Sequence, residues 1–365
     1  MCTLENPFTP SFGEVPTRLA GRSAIIDRIT RAFEASRRRP ELTTIISGAR
    51  GTGKTTLLAI LSDRAAQAGW IPASVTAMAG MLDDIEVRAR RGAAHLLDAP
   101  TRSHISSVGI PQIIDIEIEH VDSEINNWRS RMEDILDLLE SHGSGLLITV
   151  DELDPTLDEM VQLAAIYQHF VRENRKVALL MAGLPGNVSS LISNKTVSFL
   201  RRAEMVHLGR IEDFEIEDAL RKTIEEGGRS SSGANLKPAV QAIGGFPFML
   251  QLIGFRAWEE HPEKADITSE DFERGVFLAR EDMRTRIFEA TYRELSPSDI
   301  LFLEAMLEDS EESTIADITS RLQWSSSQVA QYRRRLLETG IIGERRRGVV
   351  GFDMPFFREF MLDRG

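Results

Sequence analysis

Eight consecutive residues, Gly48-Ala49-Arg50-Gly51-Thr52-Gly53-Lys54-Thr55, restrict what this chain can fold into more than any other stretch of it. Two glycines, a lysine and a hydroxyl occupy the four positions that a phosphate-binding loop requires. The glycines let the backbone curl and aim its N–H groups inward, Lys54 puts a point charge on the β and γ phosphates, and Thr55 supplies an oxygen to Mg²⁺. The flanks have the order such a loop needs. Thr43-Thr44-Ile45-Ile46-Ser47 is a β-branched run directly before it, and Leu57, Leu58, Ile60 and Leu61 give an apolar helical face directly after it. The helix read from Thr56 to Ala68 adds its positive end to the cradle. Gly48 to Thr56 are therefore the expected binding residues for a nucleoside triphosphate, with ATP and Mg²⁺ as the expected cofactors.

Turnover needs a second, acidic strand. Leu146-Leu147-Ile148-Thr149-Val150-Asp151-Glu152 is an apolar run ending in two carboxylates, a Walker B segment about ninety residues after the loop. Asp151 is the expected metal-positioning residue, and Glu152 is placed to orient and deprotonate the attacking water. Apolar runs at Ala73 to Ala77, Val177 to Ala182 and Met205 to Leu208 supply further strands between helix-period segments. Alternating strands and helices imply an α/β core with a mostly parallel sheet, covered on both faces, with phosphate at its carboxyl edge. The end of the strand Val177 to Ala182 carries no polar residue of the kind that would touch a γ phosphate; Asn187 or Ser189, in the loop expected to follow, are the substitutes.

Charge and cysteine usage narrow the class. A net charge of −13 argues against a protein that coats nucleic acid over its whole surface. Its distribution is uneven: Glu294 to Ser320 holds eight acids and no base, whereas Arg321 to Gly365 holds nine arginines against five acids. The single cysteine, Cys2, allows no internal disulfide. No basic-then-apolar leader opens the chain and its apolar runs are too short to span a bilayer, so a cytoplasmic location is expected. The seven histidines show no paired spacing that would make a metal cage.

These residues resemble the AAA+ superfamily and its STAND branch, and most of all the prokaryotic relatives of origin-recognition ATPases that end in a winged helix. Beyond the two nucleotide motifs, the resemblance is carried by Leu19-Ala20-Gly21-Arg22, by Arg201-Arg202 and by Gly245-Phe246-Pro247. It implies that Gly21 and Arg22 border the base. It implies that Arg201 or Arg202 is an arginine finger reaching a neighbouring subunit's γ phosphate, that Pro247 opens a lid helix over the nucleotide, and that Arg256 is the lid's sensor arginine.

After Arg210 the strands stop. Asp213 to Glu226, Leu236 to Ile243, Phe248 to Glu259 and Thr268 to Arg293 read as helices, with Gly227 to Gly233 as a flexible connection. Between Met81 and His142, the alternation in Ile114-Asp115-Ile116-Glu117-Ile118-Glu119 predicts a strand with an acidic face. In the tail, Thr314 to Leu322, a turn at Gln323 to Ser325 and Ser326 to Thr339 have helix-turn-helix spacing, and Glu344 to Phe352 resembles a hairpin wing. Arg333, Arg334, Arg335, Arg345, Arg346 and Arg347 are the expected contacts to double-stranded DNA.

The chain thus divides into a lead segment and first helix (1–40), an AAA+/P-loop core (41–209), a helical lid (210–293) and a winged helix-turn-helix domain (294–365). The expected function is an ATP-binding and ATP-hydrolysing molecular switch whose winged helix binds duplex DNA, with a homo-oligomer or protein partner also in view. The alternatives are a signalling or defence regulator whose winged helix holds a protein, and a nucleotide-dependent transcription regulator.

Overall fold

The computed structural model describes residues 4–11, 14–16, 19–98 and 121–364. The strand expected at Ile114 to Glu119 lies outside them.

The first half of the chain alternates helix and strand: α1 (Ser23–Phe33), β1 (Thr43–Gly48), α2 (Lys54–Gln67), β2 (Trp70–Thr76), α3 (Met81–Asp98), α4 (Val121–Ser141), β3 (Gly145–Asp151), α5 (Asp158–Arg172), β4 (Val177–Gly183), α6 (Pro185–Ser193) and β5 (Glu204–Leu208). The five strands form one parallel sheet in the order β2-β3-β4-β1-β5. Every residue of β4 is buried, which is why the run Val177 to Gly183 is apolar throughout instead of alternating. One face of the sheet packs on α1 and α2 through Ile46, Leu57, Leu61 and Leu180, and the other on α3, α4 and α5 through Ile45, Ile148, Leu136 and Met160. Because β1 and β3 are parallel, the glycine loop and the acid pair emerge at the same sheet edge.

Helices alone follow: α7 (Asp213–Glu226), α8 (Gly233–Ile243), α9 (Pro247–Glu260), α10 (Ser269–Met283) and α11 (Glu289–Glu294), the last two joined by a π-helical turn, Arg284–Phe288. Leu220, Ile224, Leu250, Ile253 and Phe272 share their core. The connection read as flexible at Gly227 to Gly233 is tied down instead. Arg229 is buried, donating to the carbonyls of Trp258 at 2.7 Å and His261 at 3.0 Å while stacking on the Trp258 ring. Ser231 bonds the Ile267 carbonyl, and Ser232 caps α8. Glycine and serine composition marks a turn, but a buried guanidinium with carbonyl partners fixes its path. The lead segment also joins this domain: Phe8 packs against Gly254, and Asn6 donates to the Phe255 carbonyl at 3.2 Å.

The tail runs α12 (Pro297–Leu307), β6 (Glu312–Thr314), α13 (Ile315–Leu322), α14 (Ser326–Glu338), β7 (Ile342–Arg346), β8 (Val349–Phe352) and α15 (Phe357–Leu362), with the three strands in the antiparallel order β6-β8-β7. This is a winged helix. Ser325 caps α14 reciprocally with Gln328, and Gln323 makes the left-handed residue that ends α13. Ile318, Val329 and Leu336 are fully buried between the two helices.

Candidate active site

The phosphate loop is shaped by its glycines. Gly51 and Gly53 have φ of 77° and 86°, conformations that side chains rarely adopt, and a Cβ on Gly48 would lie 2.6 Å from Thr52 Oγ1 and 2.9 Å from the Leu208 carbonyl. Thr52 Oγ1 in turn donates to the Ala49 carbonyl at 2.8 Å, so the loop is closed on itself. Lys54 opens α2, is buried, and donates to the carbonyls of Gly48 at 2.8 Å and Ala49 at 2.9 Å. It makes no ion pair among the described residues. Burial holds its pKa below the ordinary lysine value, with Glu152 and Asp151 acting the other way and Arg50 adding to the depression. A buried cation near two carboxylates with which it makes no ion pair, in a glycine-shaped loop at the start of a helix, is a seat for a polyanion.

The decisive geometry is between the motifs. Thr55 Oγ1 donates to Asp151 Oδ2 at 2.6 Å, across 96 residues of sequence. Asp151 Oδ1 accepts from the backbone N–H of Glu152 at 2.9 Å, and Glu152 is exposed with a left-handed φ of 53°. A hydroxyl and a carboxylate oxygen meeting at the mouth of the loop are two of the oxygen ligands that Mg²⁺ takes from a protein when nucleotide phosphates supply the rest. The donor set fits that ion.

The lid closes over the loop. Pro247, at the first position of α9, and Leu19 flank Gly53, and Phe248 lies over Gly51. Gly245, at φ 85°, accepts through its carbonyl from the Ile211 N–H at 2.9 Å. Gly21, at φ 65°, packs on Ile211 and Glu215; Arg22 is buried and donates to the Gly209 carbonyl. Desolvation lowers the Arg22 pKa, partly offset by Glu215. These two residues thus brace the joint between core and lid.

Other expected residues fall elsewhere. Arg256 does not reach the loop: its guanidinium is committed to Asp282 on α10 at 2.6 and 2.8 Å, a partner that the α9 sequence alone cannot reveal. The lid cation that does approach is Arg286, on the π-helical turn. It lines a cavity of about 350 Å³ with Arg50, Gly51, Phe248 and Met354. No motif marks it, because its segment reads as uninterrupted helix. Asn187 and Ser189 lie on α6, not in a loop, and Asn187 turns to the Leu153 carbonyl at 2.8 Å. Arg201 and Arg202 end a 3₁₀ turn, Ser198–Arg202, before β5; both are exposed, and Arg201 donates to the Ile192 carbonyl at 3.0 Å.

The six arginines of the tail divide. Arg333 pairs with Glu344, Arg335 with Asp299, Arg345 with Asp353 and Arg346 with Glu312, so these four hold the domain's own elements together. Arg334 and Arg347 have no hydrogen bond or ion pair among the described residues. Ser326, Ser327, Gln328 and Gln331, in the first half of α14, are exposed. Its second half rests on the core: Gly186 of α6 faces Glu338, and Gly340 approaches the backbone of Ala49 and Arg50.

Loop, acid strand and parallel sheet make the core of a P-loop ATPase, with a helical lid over the loop. Residues 18–180 match the AAA ATPase domain family, and residues 285–361 match a family described as a domain of unknown function (DUF8462). No curated protein matches the sequence. The architecture as a whole is similar to that of the Walker-type ATPase PABY2304 of Pyrococcus abyssi, at 15% identity, TM-score 0.69, and 97% and 100% of the two chains covered. It is also similar to the Aeropyrum pernix ORC2 protein (14% identity, TM-score 0.62, 97% of each chain) and to CDC6P from Pyrobaculum aerophilum (16%, TM-score 0.51, 97% of each chain). Residues 18–180 thus carry an AAA ATPase domain, and the chain as a whole has a fold similar to that of these three proteins. No helix among the described residues is long and apolar enough to cross a membrane.

Proposed function

We propose that this ATPase is a nucleotide-driven switch that binds Mg²⁺ and ATP between loop and lid, hydrolyses it, and presents its winged helix to double-stranded DNA. The observation that carries the reading is the 2.6 Å contact of Thr55 with Asp151, which joins the two nucleotide motifs at one point. Thr55 and Asp151 would hold the metal, which supplies charge neutralisation at the β and γ phosphates. Lys54 binds phosphate as a point charge, the loop N–H groups orient it, and Glu152 accepts a proton from water aligned opposite the leaving group. Arg201 or Arg202, exposed at the rim, serves a neighbouring copy in an oligomer. The Aeropyrum pernix ORC2 protein, whose structure is that of its ADPNP–ADP complexes, supports a nucleotide of this kind.

For DNA, the exposed first half of α14 enters the major groove while Arg334 and Arg347 meet phosphates. Steady-state hydrolysis with and without duplex DNA at low salt, with Lys54→Ala as the blank, tests the whole reading. DNA stimulation is the expected result. Turnover above the blank that ignores DNA, together with no duplex retention, contradicts the DNA half and favours a winged helix that holds a protein.

A further inference from the structure

The turn that carries Glu152 is held on three sides. Asp151 Oδ1 accepts from the Glu152 N–H, the Leu153 N–H donates to the Ala182 carbonyl of β4 at 2.9 Å, and the Leu153 carbonyl accepts from Asn187 Nδ2 at 2.8 Å. Of these, only Asn187 reaches the turn as a side chain from another element. A carbonyl acceptor admits only the amide NH₂, so chemistry fixes which way the Asn187 amide points. The left-handed φ of Glu152 makes such bracing necessary, because a non-glycine residue stays there only when its surroundings hold it.

We propose that Asn187 is a positioning residue for hydrolysis: by holding the Leu153 carbonyl it fixes the left-handed turn, and with it the direction of the Glu152 carboxylate. The proposal rests on the reading of Glu152 as the residue that activates water. The same turn of α6 carries Gly186, where an added Cβ would lie 3.4 Å from Glu338 Cα and closer still to its side chain. Helix α6 therefore has the winged helix on one side and the catalytic turn on the other, and it passes the seating of α14 to Glu152.

The test is a cycle of Asn187→Ala, Glu152→Gln and the double variant, read by single-turnover hydrolysis and by affinity for a non-hydrolysable ATP analogue. Asn187→Ala is expected to slow turnover about ten- to a hundredfold while leaving analogue affinity within about twofold of wild type. On the Glu152→Gln background it is expected to add nothing. Asn187→Asp, of the same shape but without the donor, is expected to be as slow as Asn187→Ala. Equal losses from Asn187→Ala on both backgrounds, or wild-type turnover in Asn187→Asp, overturn the proposal. Wild-type turnover in Glu152→Gln overturns the reading of Glu152 itself, an outcome visible without any change at Asn187.

Discussion

Lys54 and Gly245 show how single positions set the site. Removing the Lys54 ammonium deletes a charge-assisted contact to phosphate, so Lys54→Ala should weaken ATP binding about ten- to a hundredfold by titration calorimetry. Unchanged affinity would remove the loop from the account. Gly245 holds φ 85°, and a Cβ there would sit 2.5 Å from Arg210 Cβ and 3.0 Å from the Ile211 carbonyl. Gly245→Ala should therefore cost about 1–3 kcal/mol in stability and loosen the lid, seen as a lowered Tm and a weaker nucleotide affinity. At this scale the sequence is most legible where chemistry demands a fixed residue at a fixed spacing. Gly48, Lys54, Thr55 and Asp151 stand out because a phosphate loop and its acidic strand admit very few residue types at that spacing. Arg256 misleads because a helical arginine looks alike whether it faces a phosphate or, as here, Asp282. Arg286 carries no signal, since neither its neighbours nor its spacing differ from those of a solvated helix.

Elements are legible when their period is clean and their ends are capped. Helix α14 announces itself by Ser325 and Gln328, and β4 by seven consecutive residues without a charge. The turn at Arg229 to Ser232 does not, because what orders it is a buried guanidinium reaching Trp258 and His261 far along the chain. The winged helix offers a test of an element held by charge. Asp309 receives two hydrogen bonds from Arg321, at 2.6 and 2.8 Å, which lower its pKa from 3.8 to about 2. A carboxylate depressed in the folded state contributes stability that is complete above its unfolded pKa and is lost as pH falls through the folded one. Asp309→Asn should thus lower the Tm of the domain at neutral pH, with the gap to wild type narrowing between about pH 4 and pH 2. A gap independent of pH over that range would show that packing, and not this charge, is at work.

At the scale of the molecule, the parallel sheet brings loop and acids to one edge, the lid closes on the loop through Pro247 and Phe248, and the winged helix leans on the core, with Glu338 against Gly186 and Gly340 against the loop backbone at Ala49 and Arg50. The end of the strands after Leu208 is legible in the chain because the apolar period changes there from strand to helix. The docking of the winged helix on the core is not, since Gly186 and Glu338 are unremarkable until α6 and α14 meet. Gly186→Leu should lift α14 from its seat and, through α6, slow hydrolysis about fivefold or more with ATP affinity retained; unaltered turnover would mean that the contact is passive. Pairing in Arg333, Arg335, Arg345 and Arg346 leaves Arg334 and Arg347 as the free cations of the tail among the described residues. Their joint replacement by alanine should weaken duplex binding at all sequences and reduce the slope of log affinity against log salt by about 2. The most direct trial of the account is a single turnover of pre-bound Mg·ATP in wild type beside Glu152→Gln. The account predicts that wild type converts its ATP to ADP while the variant binds equally and converts it at least about a hundredfold more slowly; equal rates would contradict it.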